Sequence, residues 1–157
     1  MVGDYSSPDP RCEGEFVDGV FFLAGTQGGD ATRTCTVPAK TALFFPVINS
    51  FLSAEEAAYP EGPTNFVDTA LANGEPYATL DGEDLKIKRI ATGPFTLILP
   101  DPNIFGLPAG PYEHLAVSDG LWVYLPQGLK PGEYTLKFGG DFGDFFGLNV
   151  TYNLIVV

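Results

Sequence analysis

The sequence predicts an all-β chain, an antiparallel β-sandwich or jelly roll with one or two short helices. Three observations predict it. The 157 residues are punctuated by 19 glycines and 14 prolines, which suits many short strands joined by tight turns. Apolar runs rich in Val and Phe, at 20–24 and 42–48, are bounded by Gly and Pro and read as buried strands. The C-terminal third alternates apolar and polar residues, as a half-buried strand does: Tyr134, Leu136 and Phe138 in one run, Leu148, Val150, Tyr152, Leu154 and Val156 in the next.

In chain order, residues 1–11 are polar and proline-bearing and read as an extended N-terminal arm. Residues 12–157 read as a single β-sandwich domain. Strands at 16–24 and 41–49 are expected to form a core hairpin, with the glycine-rich 25–31 as its turn. Residues 53–58 suit one turn of helix. A second helix is expected over 65–73, capped by Thr64, with Phe66, Val67, Ala70 and Leu71 on one face and Gly74 as its stop. Segments 76–80 and 85–90 flank Asp81-Gly82 as a hairpin, and 95–99 reads as a buried strand before a proline-rich loop. Asp119-Gly120 reads as a turn between short strands at 115–118 and 121–125. The expected core includes Phe21, Leu23, Phe44, Val47, Leu97, Trp122, Leu136, Val150 and Tyr152.

Composition limits the functions. Eight basic residues face 20 acidic ones, for a net charge of −12. Phosphate binding needs clustered Lys and Arg, so no nucleic-acid partner is expected, whereas divalent cations or basic partners would be attracted. No apolar run is long enough for a membrane span. Hydrophobic residues make up 45% of the chain, enough for one sizeable core. The two cysteines, Cys12 and Cys35, are expected to form a disulfide that stabilises by about 3 kcal/mol through the unfolded state. That bond places the chain in an oxidising, extracellular compartment. Residues 1–10 lack the apolar stretch of a signal peptide, so the sequence reads as a mature or trimmed form.

Chemistry-bearing residues are sparse. His114 is the single histidine, and without a nucleophile elbow near it no Ser-His-Asp triad is spelled out, so no catalytic residue and no enzyme activity is expected. Carboxylate pairs are too numerous to define a glycosidase. Asp141 and Asp144 sit in the glycine-rich GGDFGDFFG segment beside three phenylalanines, where hard oxygen ligands would take calcium. Calcium is the one cofactor considered, and aromatics beside acids would also bind a carbohydrate ring. Asn149-Val150-Thr151 is a glycosylation sequon.

The segment GVFFLAGTQGGDATRTCTVPAKTALFFPVIN resembles an uncharacterised family of secreted bacterial β-sandwich proteins with a VWFLAG…RxCxVPAGKALFFPVxN signature. DGLWVYLPQGLKPGEYTLKFGG and LNVTYNLIV are similar to that family's C-terminal pattern, and the likeness runs from about Cys12 to Val157. The family's PAGK stands here as Pro38-Ala39-Lys40-Thr41, without the glycine. The histidine of its PGxHT stands here as Tyr134, so no site built on that histidine transfers. The resemblance implies export and a β-sandwich, and its motifs mark a fold rather than a reaction.

The function expected from these readings is an extracellular structural or self-assembling subunit, of a filament or surface layer, associating through its N-terminal arm or its edge strands. The polar arm, and a last strand ending on Leu154-Ile155-Val156-Val157 without a polar tail, motivate it. The alternative is a secreted calcium- or carbohydrate-binding module.

Overall fold

The computed structural model describes residue 12 and residues 14–53, 61–103 and 106–157. The arm 1–11, and the helical turn expected within 53–58 from residue 54 on, lie outside the described residues. Among the described residues ten strands make two five-stranded sheets, with one helix beside them. The first sheet runs β1 (Gly14–Val17), β2 (Val20–Leu23), β4 (Ala42–Ser53), β8 (Gly110–Leu125), β7 (Lys88–Leu99). The second runs β3 (Gly29–Val37), β10 (Gly147–Val156), β9 (Gly132–Asp141), β5 (Glu75–Leu80), β6 (Glu83–Asp84). The sheets face one another across a single core, where Phe45 of β4 meets Phe138 of β9 with ring centroids 4.8 Å apart. An all-β sandwich is therefore the fold.

The chain crosses repeatedly between the sheets, and this changes two expected connections. Residues 25–31 are not a hairpin turn. They carry the chain to β3 in the opposite sheet, so β4 returns beside β2 in parallel. β3 likewise pairs in parallel with β10, so each sheet is mixed rather than purely antiparallel. The Asp-Gly turns before β2 and β6 hold positive φ at both central residues (49° and 85° at Asp18-Gly19, 50° and 86° at Asp81-Gly82), the backbone that two-residue hairpins require. Asp119-Gly120 is not a turn, because it lies within the 16-residue β8.

Alternation places Leu148, Val150, Tyr152, Leu154 and Val156 in the core as expected. Phe21, Leu23, Val47 and Leu136 are buried too. Phe44, Leu97 and Trp122 are only half-buried, on the face turned away from the core. The reason lies in the Phe44-Phe45 pair: β4 is apolar on both faces, and Phe45 takes the core position. A bulge at Val47 then resets the phase, so that Val47 and Ile48 are both buried.

The helix α1 (Glu61–Asn73) packs against β4 and β8 through Pro63, Val67 and Ala70. It starts before Thr64, because Pro63 suits a first helical turn. Thr64 is thus not the cap, and its backbone carbonyl accepts from Arg89 Nη2 at 3.5 Å. Gly74 ends the helix, its N–H bonded to Ala70 O at 3.0 Å.

Candidate functional site

The most distinctive local feature arises where β2 stops and β4 continues. β2 pairs with β4 only as far as Phe44, because the chain turns out of the sheet after Leu23. The turn is held from the core. Arg33, buried in β3, donates from Nη1 to Ala24 O at 3.1 Å, and Tyr152 OH donates to the same oxygen at 2.9 Å. The Arg33 guanidinium carbon also lies 5.5 Å from the centroid of the Tyr152 ring, within cation–π range. With the chain drawn aside, residues 46–50 of β4 keep β8 on one edge and have no strand partner among the described residues on the other. Pro46, which has no N–H to offer, falls on this unpaired stretch.

A cavity of about 650 Å³ opens along that edge. Phe22, Phe44 and Trp122 form one wall, Phe95, Leu97 and Leu99 of β7 a second, and Phe66, Phe146 and Leu148 a third. No charged side chain lines it. Register puts Phe22, Phe44 and Tyr124 in one row across three strands. Phe22 meets Phe44 edge-on at 5.7 Å, and Trp122 stacks on Phe44 at 5.0 Å. On the far wall Phe66 of α1 meets Phe146 at 5.5 Å.

One polar corner interrupts this apolar surface. Gly120 faces Asn49 across the β4–β8 pair. A Cβ at Gly120 would lie 2.7 Å from both Asn49 Cβ and Trp122 Nε1, so only glycine lets the indole lie against this strand. Among the described residues nothing hydrogen-bonds the Trp122 N–H or the Asn49 amide. Both are open to a ligand.

The walls are tied together by a charge cluster beside them. Arg89 of β7 donates to Asp119 Oδ2 at 2.7 Å from Nη2 and through Nε to both carboxylate oxygens, and from Nη1 to Asp68 of α1 at 2.6 Å. Burial alone would push the Asp119 carboxyl up. Hydrogen bonds and charge from Arg89, with help from Thr64 and the Gly120 amide, outweigh it and hold the group below the usual carboxylate range. The same bonds push Arg89 further above its already high value. This clasp joins β7, β8 and α1, the elements that carry Phe95, Trp122 and Phe66.

The residues singled out from sequence lie elsewhere. Cys12 and Cys35 are bonded, S–S 2.00 Å, tying the chain ahead of β1 to β3 of the opposite sheet. Asp141 ends β9 and Asp144 lies in the turn that follows it, next to Phe145 and Phe146, and Asp141 Oδ1 accepts from Gly143 N at 3.0 Å. Among the described residues no three or more His, Cys, Asp or Glu side chains converge. Asn149 is exposed on the outer face of β10, accepting from Tyr77 OH at 2.9 Å and donating to Asp30 Oδ1 at 3.1 Å. Burial first, then the Asp30 charge, pushes the Tyr77 hydroxyl up. The side chain of His114 lies outside the described residues. Among the described residues no helix is long and apolar enough to cross a membrane.

Fold and site thus define a β-sandwich with an uncharged aromatic cavity beside β4, where residues 46–50 have β8 as their one strand partner among the described residues. No protein-family model and no curated protein matches the chain. Among solved structures, PbICP-C in complex with falcipain-2 is similar over 87% of this chain and 98% of that one, at 11% identity and a TM-score of 0.35. A family 123 glycoside hydrolase from Clostridium perfringens is similar over 80% of this chain and 23% of that one, at 12% identity and a TM-score of 0.25. Neither likeness carries an argument about function.

Proposed function

We propose that the protein is an exported binding module that takes a neutral ligand with an apolar body into the cavity beside β4. One observation carries this reading: the lining holds no charged side chain, on a chain whose net charge is −12. The acidic residues that give the chain its net charge are absent from this lining. The volume falls in the range of small-ligand pockets, which bind through apolar walls and a few oriented polar groups. Trp122 N–H and the Asn49 amide are those groups here. The Cys12–Cys35 bond supports an oxidising compartment. Trp122 and Phe44 turn their ring faces to each other, which favours an apolar occupant over a stacked sugar.

The test is titration with the neutral dye N-phenyl-1-naphthylamine. Saturable one-to-one binding is expected, weakened by about tenfold or more in Phe44→Ala and unchanged in Ile155→Ser, an exposed position on β10. Non-saturating uptake, or equal loss in both variants, would overturn the reading.

A second reading, self-association, is favoured by β1. This four-residue edge strand leaves Phe16 56% and Val17 43% exposed, an invitation to pair with another sheet. Sedimentation velocity on wild type and Phe16→Lys tests it, with assemblies expected in the first and monomer in the second. A monomeric wild type at high concentration contradicts it.

A further inference from the structure

Resting on the binding reading above, we infer that the ligand is an apolar acyl compound whose carbonyl is uncharged: an ester, ketone or amide rather than a free acid. The inference starts from the polar corner of the cavity. Asn49 and Gly120 are partners in the β4–β8 register, and Trp122 follows Gly120 by two residues on the same face. Asn49 and Trp122 are therefore diagonal neighbours, close enough for a long side chain to reach across. The missing Cβ of Gly120 lets them come closer. A Cβ there would lie 2.7 Å from Asn49 Cβ and 2.7 Å from Trp122 Nε1. The stack of Trp122 on Phe44 fixes the plane of the indole, so its N–H edge is held at this corner.

What the corner can bind follows from its groups. An indole N–H only donates, so its partner must be an acceptor. The Asn49 amide can donate as well, and two donors side by side suit an oxygen with two lone pairs in one plane, which is a carbonyl. A carboxylate would accept the same bonds but brings a charge. None of the lining residues is charged to pair with it, and the chain's net charge of −12 opposes its entry. Lys88, the register partner of Trp122 on β7, is exposed and outside the lining. Phe95, Leu97, Phe66 and Phe146 supply the apolar contact for the acyl body.

The test compares methyl 2-naphthoate, the free 2-naphthoate anion and 2-ethylnaphthalene, each displacing N-phenyl-1-naphthylamine from the wild-type protein at neutral pH. The hydrocarbon is the more hydrophobic of the two neutral probes, so apolar walls alone would favour it. The ester is expected to bind at least as tightly as the hydrocarbon, and about tenfold or more tighter than the anion. In Trp122→Phe the ester's advantage over the hydrocarbon is expected to fall about fivefold, the loss of one hydrogen bond. That ratio is taken within each protein, so a general loosening of the cavity cancels from it. Should Trp122→Phe fail to fold, Asn49→Ala carries the same comparison with the same expected direction. An unchanged ratio in the folded variant, or an anion that binds as well as the ester, overturns the inference. Dye binding with the hydrocarbon preferred by the wild type also overturns it and leaves the binding reading standing. Absence of dye binding removes the two together.

Discussion

Trp122 lies stacked on Phe44 across the β4–β8 pair, ring centroids 5.0 Å apart and planes within 13° of parallel, on the side of the sheet away from the core. Neither ring is a core residue, although both belong to strands whose other face carries core residues such as Phe45 and Val123. A sheet face usually trades apolar residues for polar ones on its solvent side. Here the second face stays aromatic because it walls a cavity, and Trp122, the single tryptophan, reports on it.

The two neighbours Phe44 and Phe45 should therefore respond differently to truncation. Phe45 is fully enclosed, and Phe45→Ala is expected to cost about 3–5 kcal/mol. Phe44→Ala is expected to cost about 1–2 kcal/mol, since part of its surface is already in water. Urea unfolding of both variants checks this, and equal losses would contradict the assignment of faces.

The Arg89–Asp119 clasp predicts acid sensitivity. Asp119 has a folded pKa below its unfolded value, so its contribution is fully present above the unfolded value of about 4 and fades as pH falls through the folded one. Arg89 is 36% exposed, so the pair is partly screened, and Asp119→Asn is expected to cost about 1–2 kcal/mol at neutral pH. Stability measured from pH 7 down should drop more shallowly in the variant. Parallel curves would mean that other carboxylates dominate.

Lys40 holds φ at 61°, donating its N–H to Leu129 O at 2.8 Å. A side chain in the left-handed region costs about 1 kcal/mol or more, which glycine avoids while losing some chain entropy. Lys40→Gly is expected to stabilise by about 0.5–1 kcal/mol, read as a higher urea midpoint at unchanged slope. An unchanged or lower midpoint would show that the lysine side chain makes up the difference.

How far the sequence disclosed this molecule differs from place to place. β9 and β10 were legible in detail, since strict alternation fixes which residues face the core. The sandwich class followed from them and from the turn residues. β4 was not, because an apolar run with adjacent phenylalanines fits either phase, and only the bulge at Val47 and the partner strands decide. Strand partners are long-range facts, so the parallel β2–β4 pair had no local sign. Asp119-Gly120 carries a turn signature, yet Arg89, distant by 30 residues, neutralises the aspartate and makes it a strand residue. Two signals of the site were present. Pro46 inside an apolar strand marks an unpaired edge, and Arg33 sits in alternating register with the buried Cys35 and Val37.

The most direct test of the central claim, that the cavity beside β4 is where a ligand sits, is acrylamide quenching of Trp122 with and without saturating N-phenyl-1-naphthylamine, energy transfer to the dye being corrected for by lifetime. Because Trp122 is the single tryptophan and forms the cavity wall, an occupant should shield it and lower the quenching constant about twofold or more, in step with the fraction of large ligand surface that such pockets bury. A quenching constant unchanged at full dye saturation would place the ligand elsewhere and contradict the account.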